Sequence, residues 1–127
     1  MNKDIQGLSP KLVWHYFAEI CNIPHPSHHE KAIHDYLIAQ AEALGVDYTA
    51  DEAGNVIFRK KATEGMENRK GIILQAHMDM VPQKNGDKAF DFTADRVEAY
   101  IDGKWVTASG TTLGADNGIV LAAILAV

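Results

Sequence analysis

The chain has 127 residues, which suits one domain and leaves little room for two. Its formal net charge is −5, and its basic residues are scattered apart from residues 59–61 and 69–70, so no nucleic-acid-binding surface is indicated. No apolar run approaches the ~18 residues that a membrane span needs, and no signal-peptide core is present. The single cysteine, Cys21, excludes an intramolecular disulfide. We therefore expect a cytoplasmic protein that binds neither nucleic acid nor membrane.

The first part of the chain is predicted to form two amphipathic helices. Apolar residues recur at helical spacing over residues 10–22 and again over residues 28–44. Ser9 is expected to cap the first helix. Ser27 and Glu30 have the spacing of a capping box, in which each side chain bonds the other's backbone N–H, at the start of the second.

The strands are predicted to form two hairpins and one buried strand. Asp102-Gly103 is a strong hairpin-turn signal, and a continuous apolar run ahead of His77 is typical of a strand buried on both faces. A last apolar helix should begin at Asp116. The expected strands cover residues 46–50, 55–61, 71–77, 97–101 and 104–108. Helices against a mixed sheet with at least one fully buried strand indicate an α/β layered architecture.

His77 and Asp79 form the first candidate for chemistry. They follow the apolar run and are two residues apart, so in extended geometry both side chains point to the same side. Neutral imidazole is a good zinc ligand, and its other ring N–H is usually donated to an orienting carboxylate. The alternative is a polar pair leaving a strand, with His77 satisfied by backbone. These two residues alone leave both interpretations open.

Four other histidines, His25, His28, His29 and His34, are clustered but form no metal motif. His29 and His34 are five residues apart, which places them ~140° apart on a helix, so they cannot share a metal there. We expect these histidines to be surface or capping residues. The alternative is that one of them lines a substrate pocket.

A glycine-bounded loop, residues 110–114, is followed closely by Asp116. Glycine permits close backbone approach and unusual φ values. A carboxylate in the first helical turn is favoured by the helix dipole, so Asp116 is interpretable as an N-cap. Ser, Thr or Asn would cap equally well, and capping does not exclude a role as a ligand.

Residues 74–82 and 110–118 together resemble the cocatalytic di-zinc exopeptidase family, which contains aminoacylases and glutamate-releasing carboxypeptidases. Within that family they are most similar to the aminoacyl-histidine dipeptidases. Residues 23–27, 51–56 and 65–70 support the resemblance, which extends from about Leu8 to Val127. It implies a three-layer, mixed-sheet zinc-exopeptidase catalytic domain of the phosphorylase/hydrolase-like type.

The resemblance also implies a function and a set of site residues. Xaa-His and related dipeptides would be hydrolysed by a water that two zinc ions activate, with Mn or Co as possible substitutes. His77 matches a zinc ligand, Asp79 the catalytic-site carboxylate that orients it, and Asp116 the aspartate that bridges both metals. The full-length protein is expected to be a homodimer.

The sequence also departs from the family pattern. The family's general-base glutamate and remaining ligands lie C-terminal to the bridging aspartate, and here nothing follows Val127. Residues 1–127 are therefore expected to be the amino-terminal part of the catalytic domain, with the lid and dimerisation domain absent and no activity alone. Two alternatives stay open: a non-catalytic fragment or binding module of this fold, and an aminoacylase or deacetylase on the same scaffold.

Overall fold

The computed structural model describes residues 2–127, which divide into two units. The first unit contains the described residues up to Ile33 together with residues 75–127, and the second contains residues 34–74. The elements are α1 (Asn2–Ile5), α2 (Lys11–Cys21), α3 (Lys31–Leu44), β1 (Asp47–Ala50), β2 (Val56–Arg59), β3 (Ala99–Asp102), β4 (Trp105–Ala108) and α4 (Ala115–Leu125).

The core of the first unit lies where α2 packs against α4. Phe17 and Ile20 of α2 are both 1% exposed. They face Gly118 of α4, where an added Cβ would lie 3.3 Å from Cε2 of Phe17 and 3.5 Å from Cγ2 of Ile20. The absence of a side chain at Gly118 therefore permits the close approach of the two helices.

The apolar helix α4 buries only one side among the described residues. Leu121 and Leu125 are buried, whereas Val120 is 41% exposed. No helix within residues 2–127 is both long enough and apolar enough to cross a membrane.

The short helix α1 was not predicted from the sequence, and a buried asparagine connects it to β3. The Nδ2 atom of Asn2 donates to the backbone oxygen of Val97 at 2.9 Å. Its Oδ1 atom accepts from the backbone N–H of Ala99 at 2.8 Å. The amide of Asn2 therefore satisfies buried main-chain groups at the start of β3, which would otherwise carry a desolvation cost.

The second unit contains most of α3 and the β1–β2 hairpin. Leu37 and Ala41 are buried and lie four residues apart, as the predicted apolar face requires. Gly45 directly follows the last helical residue, Leu44, and has a φ of 65°. The N–H of Gly45 donates to the Glu42 oxygen and that of Val46 to the Ala41 oxygen, the two bonds of a Schellman motif.

Both predicted hairpins are present. In the second unit β1 and β2 pair antiparallel from Asp47↔Arg59 to Ala50↔Val56. In the first unit β3 and β4 pair from Ala99↔Ala108 to Asp102↔Trp105. The second turn is shifted by one residue from the prediction. Because Asp102 pairs with Trp105, the two loop residues are Gly103, with a φ of 59°, and Lys104.

The predicted buried strand over residues 71–77 is wrong for the described chain. These residues have no regular secondary structure, and Ile72 and Ile73 are 84% and 93% exposed. An apolar run predicts burial, but a strand also needs a neighbouring backbone to pair with, and no part of residues 2–127 pairs with this run. The α/β composition is confirmed. The described strands form two separate two-stranded antiparallel sheets rather than one mixed sheet.

Both predicted helix N-caps are also wrong. Helix α2 begins at Lys11, with Pro10 in extended geometry at the N-cap position and no side-chain cap bond. At the start of α3, Oε1 of Glu30 accepts from the backbone N–H of His28 at 2.6 Å rather than from that of Ser27. The hydroxyl of Ser27 donates to Oδ2 of Asp79.

Candidate metal centre

Two loop segments of the first unit run side by side and bring the candidate residues together. The backbone N–H of Thr112 donates to the Gln83 oxygen at 2.8 Å, and that of Asn85 donates to the Gly110 oxygen at 2.8 Å. The Thr112 hydroxyl donates to the Val81 oxygen at 2.7 Å. The glycine-bounded loop is therefore held against the segment that follows Asp79.

Gly114 ends this loop in a left-handed conformation, with a φ of 77°. An added Cβ at this position would lie 3.1 Å from Sδ of Met80, and Met80 itself is only 2% exposed. The conformation and the close contact both favour glycine. Met80 and Gly114 together fix the spacing between the two segments that carry the candidate residues.

His77 lies between the two predicted carboxylates. Its Nδ1 atom is 2.9 Å from Oδ1 of Asp79 and 3.1 Å from the backbone oxygen of Asp79. Its Nε2 atom is 3.1 Å from Oδ1 of Asp116. The structure thus brings together all three residues that the sequence selected, and it places the two aspartates on opposite nitrogens of one imidazole ring.

Asp116 is not a helix cap in this structure. It lies at a kink inside α4, with φ −96° and ψ 98°, and its carboxylate faces Nε2 of His77. Its side chain is 95% exposed, compared with 47% for His77 and 32% for Asp79. The Asp116 carboxylate is therefore exposed to solvent beside Nε2 of His77.

The carboxylate of Asp79 is held from both sides. Its Oδ2 atom accepts a hydrogen bond from the Ser27 hydroxyl at 2.5 Å, while its Oδ1 atom faces His77. The Ser27 bond is the main cause that lowers the pKa of Asp79, and the bond to His77 adds to it against an opposing effect of burial. Asp79 is therefore held as the charged carboxylate that orients the His77 ring.

The pKa of His77 is raised. Partial burial acts to lower it, but the hydrogen bonds to Asp116 and Asp79 together outweigh that effect. Both ring nitrogens face carboxylate oxygens, which stabilises the doubly protonated imidazolium relative to the neutral ring. The tautomer in which Nδ1 carries the proton and Nε2 is free is the one that a metal at Nε2 requires.

The other histidines add no metal ligand. His28 and His29 are exposed, as predicted. His25 is buried, contrary to the prediction: Nδ1 donates to the Ile23 oxygen at 2.5 Å, and burial is the main cause that lowers its pKa. Its Nε2 atom has no hydrogen-bond partner among the described residues.

The donor chemistry of the site fits a zinc ion. A neutral imidazole nitrogen and a carboxylate oxygen are both normal zinc ligands, but a zinc ion usually takes four ligands. Across residues 2–127 no group of three or more His, Cys, Asp or Glu side chains is placed to hold a metal. His77 and Asp116 supply two donors, so further ligands would be required.

Sequence reasoning missed the part that Ser27 and Met80 play at this site. Pro24 and Pro26 flank His25, which prevents a helix there and favours extended backbone able to pair with another segment. In the structure Pro26 forms a parallel bridge with Met80. The two prolines were a usable signal for pairing, but no local pattern identifies the paired segment.

Comparison with known proteins gives relatives that agree with the resemblance found in the sequence. No family model matches the chain. It is 55% identical over 124 residues, 98% of its length, to the cytosol non-specific dipeptidase of Escherichia coli (strain K12). It covers 26% of that protein. The chain therefore spans about a quarter of the length of this curated relative.

Two solved structures share the fold. The aminoacylhistidine dipeptidase of Vibrio alginolyticus superposes with a TM-score of 0.94 at 57% identity, over 96% of this chain and 25% of that one. A tripeptidase of Staphylococcus aureus superposes with a TM-score of 0.66 at 23% identity, over 91% of this chain and 30% of that one. The second likeness concerns the fold alone.

Proposed function

Since this chain is related over almost its whole length to aminoacyl-histidine dipeptidases, we propose that the complete protein hydrolyses dipeptides in a two-metal site. The observation that carries the proposal is the arrangement around His77, with Asp79 behind its Nδ1 atom and Asp116 in front of its Nε2 atom. Xaa-His and related dipeptides are the proposed substrates. The name of the Vibrio alginolyticus relative, aminoacylhistidine dipeptidase, supports this substrate class.

The described residues have distinct parts in this proposal. His77 would hold one metal through Nε2, and Asp116 would bridge two metals with its exposed carboxylate. Asp79 fixes the ring orientation and keeps the proton of the neutral ring on Nδ1. Zinc is the proposed metal, with Mn or Co as substitutes; when bound, the pair lowers the pKa of a water and polarises the substrate carbonyl.

The proposal extends to parts of the protein that the described residues do not contain. A three-layer catalytic domain, a lid and dimerisation domain, and a homodimer are all proposed for the complete protein. A cytoplasmic location is proposed because the name of the Escherichia coli relative includes the cytosol.

The 127-residue chain alone is predicted to be inactive, because it offers only two direct metal donors where one zinc usually takes four.

The test uses the complete protein, with its metal removed by chelation and zinc restored. Hydrolysis of an Xaa-His dipeptide is measured in the wild type and in His77→Ala and Asp116→Ala, which are expected to lose activity. Asp79→Asn is expected to lose about 10–100-fold, as typical for a carboxylate behind a metal-ligating histidine. His29→Ala, at an exposed histidine, is the matched control and should retain wild-type activity.

The outcomes separate this proposal from its alternatives. Undiminished hydrolysis by His77→Ala or Asp116→Ala would contradict it. Hydrolysis of N-acylated amino acids in preference to dipeptides would instead support an aminoacylase or deacetylase. Binding of a dipeptide without turnover by the complete protein would support a binding module.

A further inference from the structure

The segment Pro24–Ser27 lies beside the candidate metal centre and is held there by backbone hydrogen bonds. The N–H of Met80 donates to the His25 oxygen at 3.0 Å, and the N–H of Ser27 donates to the Met80 oxygen at 3.0 Å. This is a short ladder of the parallel type. It fixes the position of the Ser27 backbone relative to Asp79, which precedes Met80 directly.

The Ser27 hydroxyl has one proton and two acceptors within reach. Oδ2 of Asp79 is 2.5 Å away, and the backbone oxygen of Met80 is 3.2 Å away. A hydroxyl donating to a charged carboxylate forms a short bond of ~2.5–2.7 Å, stronger than a bond to a neutral acceptor. The proton therefore goes to Asp79 rather than to the Met80 oxygen.

The hydrogen bond from Ser27 determines which way the Asp79 carboxylate faces. A carboxylate is free to rotate about its last torsion, which has broad minima. With Oδ2 held by Ser27, Oδ1 is directed at Nδ1 of His77 at 2.9 Å. The ring in turn presents Nε2 towards Asp116. One chain of contacts therefore leads from Ser27 through Asp79 and His77 to the open side of the site.

We propose that Ser27 is a positioning residue for the metal centre, acting through Asp79 to fix the orientation of the His77 ring. The metal part of this inference rests on the proposed function. The orientation part does not, because it concerns contacts among three side chains of this chain. Ser27 itself touches neither metal nor substrate in this account.

The inference predicts a graded effect of substitutions. Ser27→Ala removes the donor and leaves Asp79 free to rotate away from Nδ1 of His77. Groups behind a metal ligand typically contribute 10–100-fold to metal affinity. Because Ser27 is one contact further away, zinc affinity of the complete protein is expected to fall about tenfold, the lower end of that range. Ser27→Thr keeps a hydroxyl and should restore most of the affinity.

The experiment combines zinc titration against a competing chelator with crystal structures of the metal-free wild type and Ser27→Ala, all on the complete protein. Ser9→Ala, which removes a hydroxyl at an exposed residue ahead of α2, is the matched control and should leave zinc affinity unchanged. In Ser27→Ala the Asp79 carboxylate should adopt a new or mixed orientation. A purely structural role for Ser27 would lower thermal stability without a change in that orientation.

The two proposals can fail separately. The inference is overturned if Asp79 keeps its wild-type orientation in Ser27→Ala, or if Ser27→Ala binds zinc as tightly as the wild type does. Failure of the proposed function would appear instead as a wild-type protein that binds no zinc, while Asp79 still reorients in Ser27→Ala. In that case the positioning of the ring would stand and its purpose would not be zinc binding.

Discussion

Gly114→Ala should destabilise the protein because it introduces two separate costs at one position. The φ of 77° is a left-handed conformation, which costs an L-residue about 1–2 kcal/mol. The new Cβ would also lie 3.1 Å from Sδ of Met80. Since Met80 is 2% exposed, it has little room to move, and overpacking of this kind costs about 1–3 kcal/mol. The free energy of unfolding should therefore fall by about 2–5 kcal/mol.

Gly54→Ala provides a matched control for the backbone cost. Gly54 has a φ of 89°, and an added Cβ there would meet nothing within 4 Å. This variant should lose only the about 1–2 kcal/mol of conformational strain. Urea unfolding of both variants, monitored by circular dichroism, measures the difference, which reports the contact with Met80.

A double-mutant cycle isolates the contact further. In a Met80→Ala background the added methyl of Gly114→Ala gains room, so its cost should fall towards that of Gly54→Ala. Contacting residues typically couple by about 0.5–3 kcal/mol in such cycles. Equal losses in Gly114→Ala and Gly54→Ala, with additive behaviour in the cycle, would refute the argument that Met80 and Gly114 set the spacing of the two segments.

Three further predictions concern buried polar groups and the cysteine. Asn2→Ala should lower the free energy of unfolding by about 1–3 kcal/mol in urea denaturation, because it leaves the Val97 oxygen and the Ala99 N–H buried without a partner. Cys21 is 1% exposed, and burial raises the pKa of its thiol to about 12. A thiol reagent at pH 8 should therefore label Cys21 only when urea unfolds the protein. Rapid labelling of the native protein would contradict this. Burial lowers the pKa of His25 in the folded state, so its contribution to the free energy of unfolding is present above the unfolded pKa of about 6.5 and is lost as pH falls through the folded pKa. His25→Gln should therefore lose less stability than the wild type on acidification. An unchanged dependence of stability on pH would contradict this.

The elements with strong local signals were predictable from the sequence. Helical spacing of apolar residues located α2 and α3, and turn residues located both hairpins, because these structures depend on neighbours in the chain. The β3–β4 turn was misplaced by one residue. Asp102-Gly103 and Gly103-Lys104 both place a glycine in a two-residue loop, and only the register of the strands distinguishes them.

The errors came from partners distant in sequence. The apolar run around Ile73 predicts a buried strand, yet burial and pairing depend on what lies beside it, and Ile73 is 93% exposed here. Ser27 has the spacing of a cap, but its hydroxyl bonds to Asp79, 52 residues away. Of the site, the sequence identified His77, Asp79 and Asp116 by residue type and resemblance. It did not reveal that Ser27 holds Asp79 from behind.

Anomalous X-ray diffraction at the zinc edge tests most directly whether His77 and Asp116 hold metal. Crystals of the complete protein grown with zinc should show an anomalous peak about 2.0–2.2 Å from Nε2 of His77 and from a carboxylate oxygen of Asp116. Asp79 should remain within hydrogen-bond distance of Nδ1 of His77. Zinc peaks elsewhere in the protein, with none beside Nε2 of His77, would contradict the account.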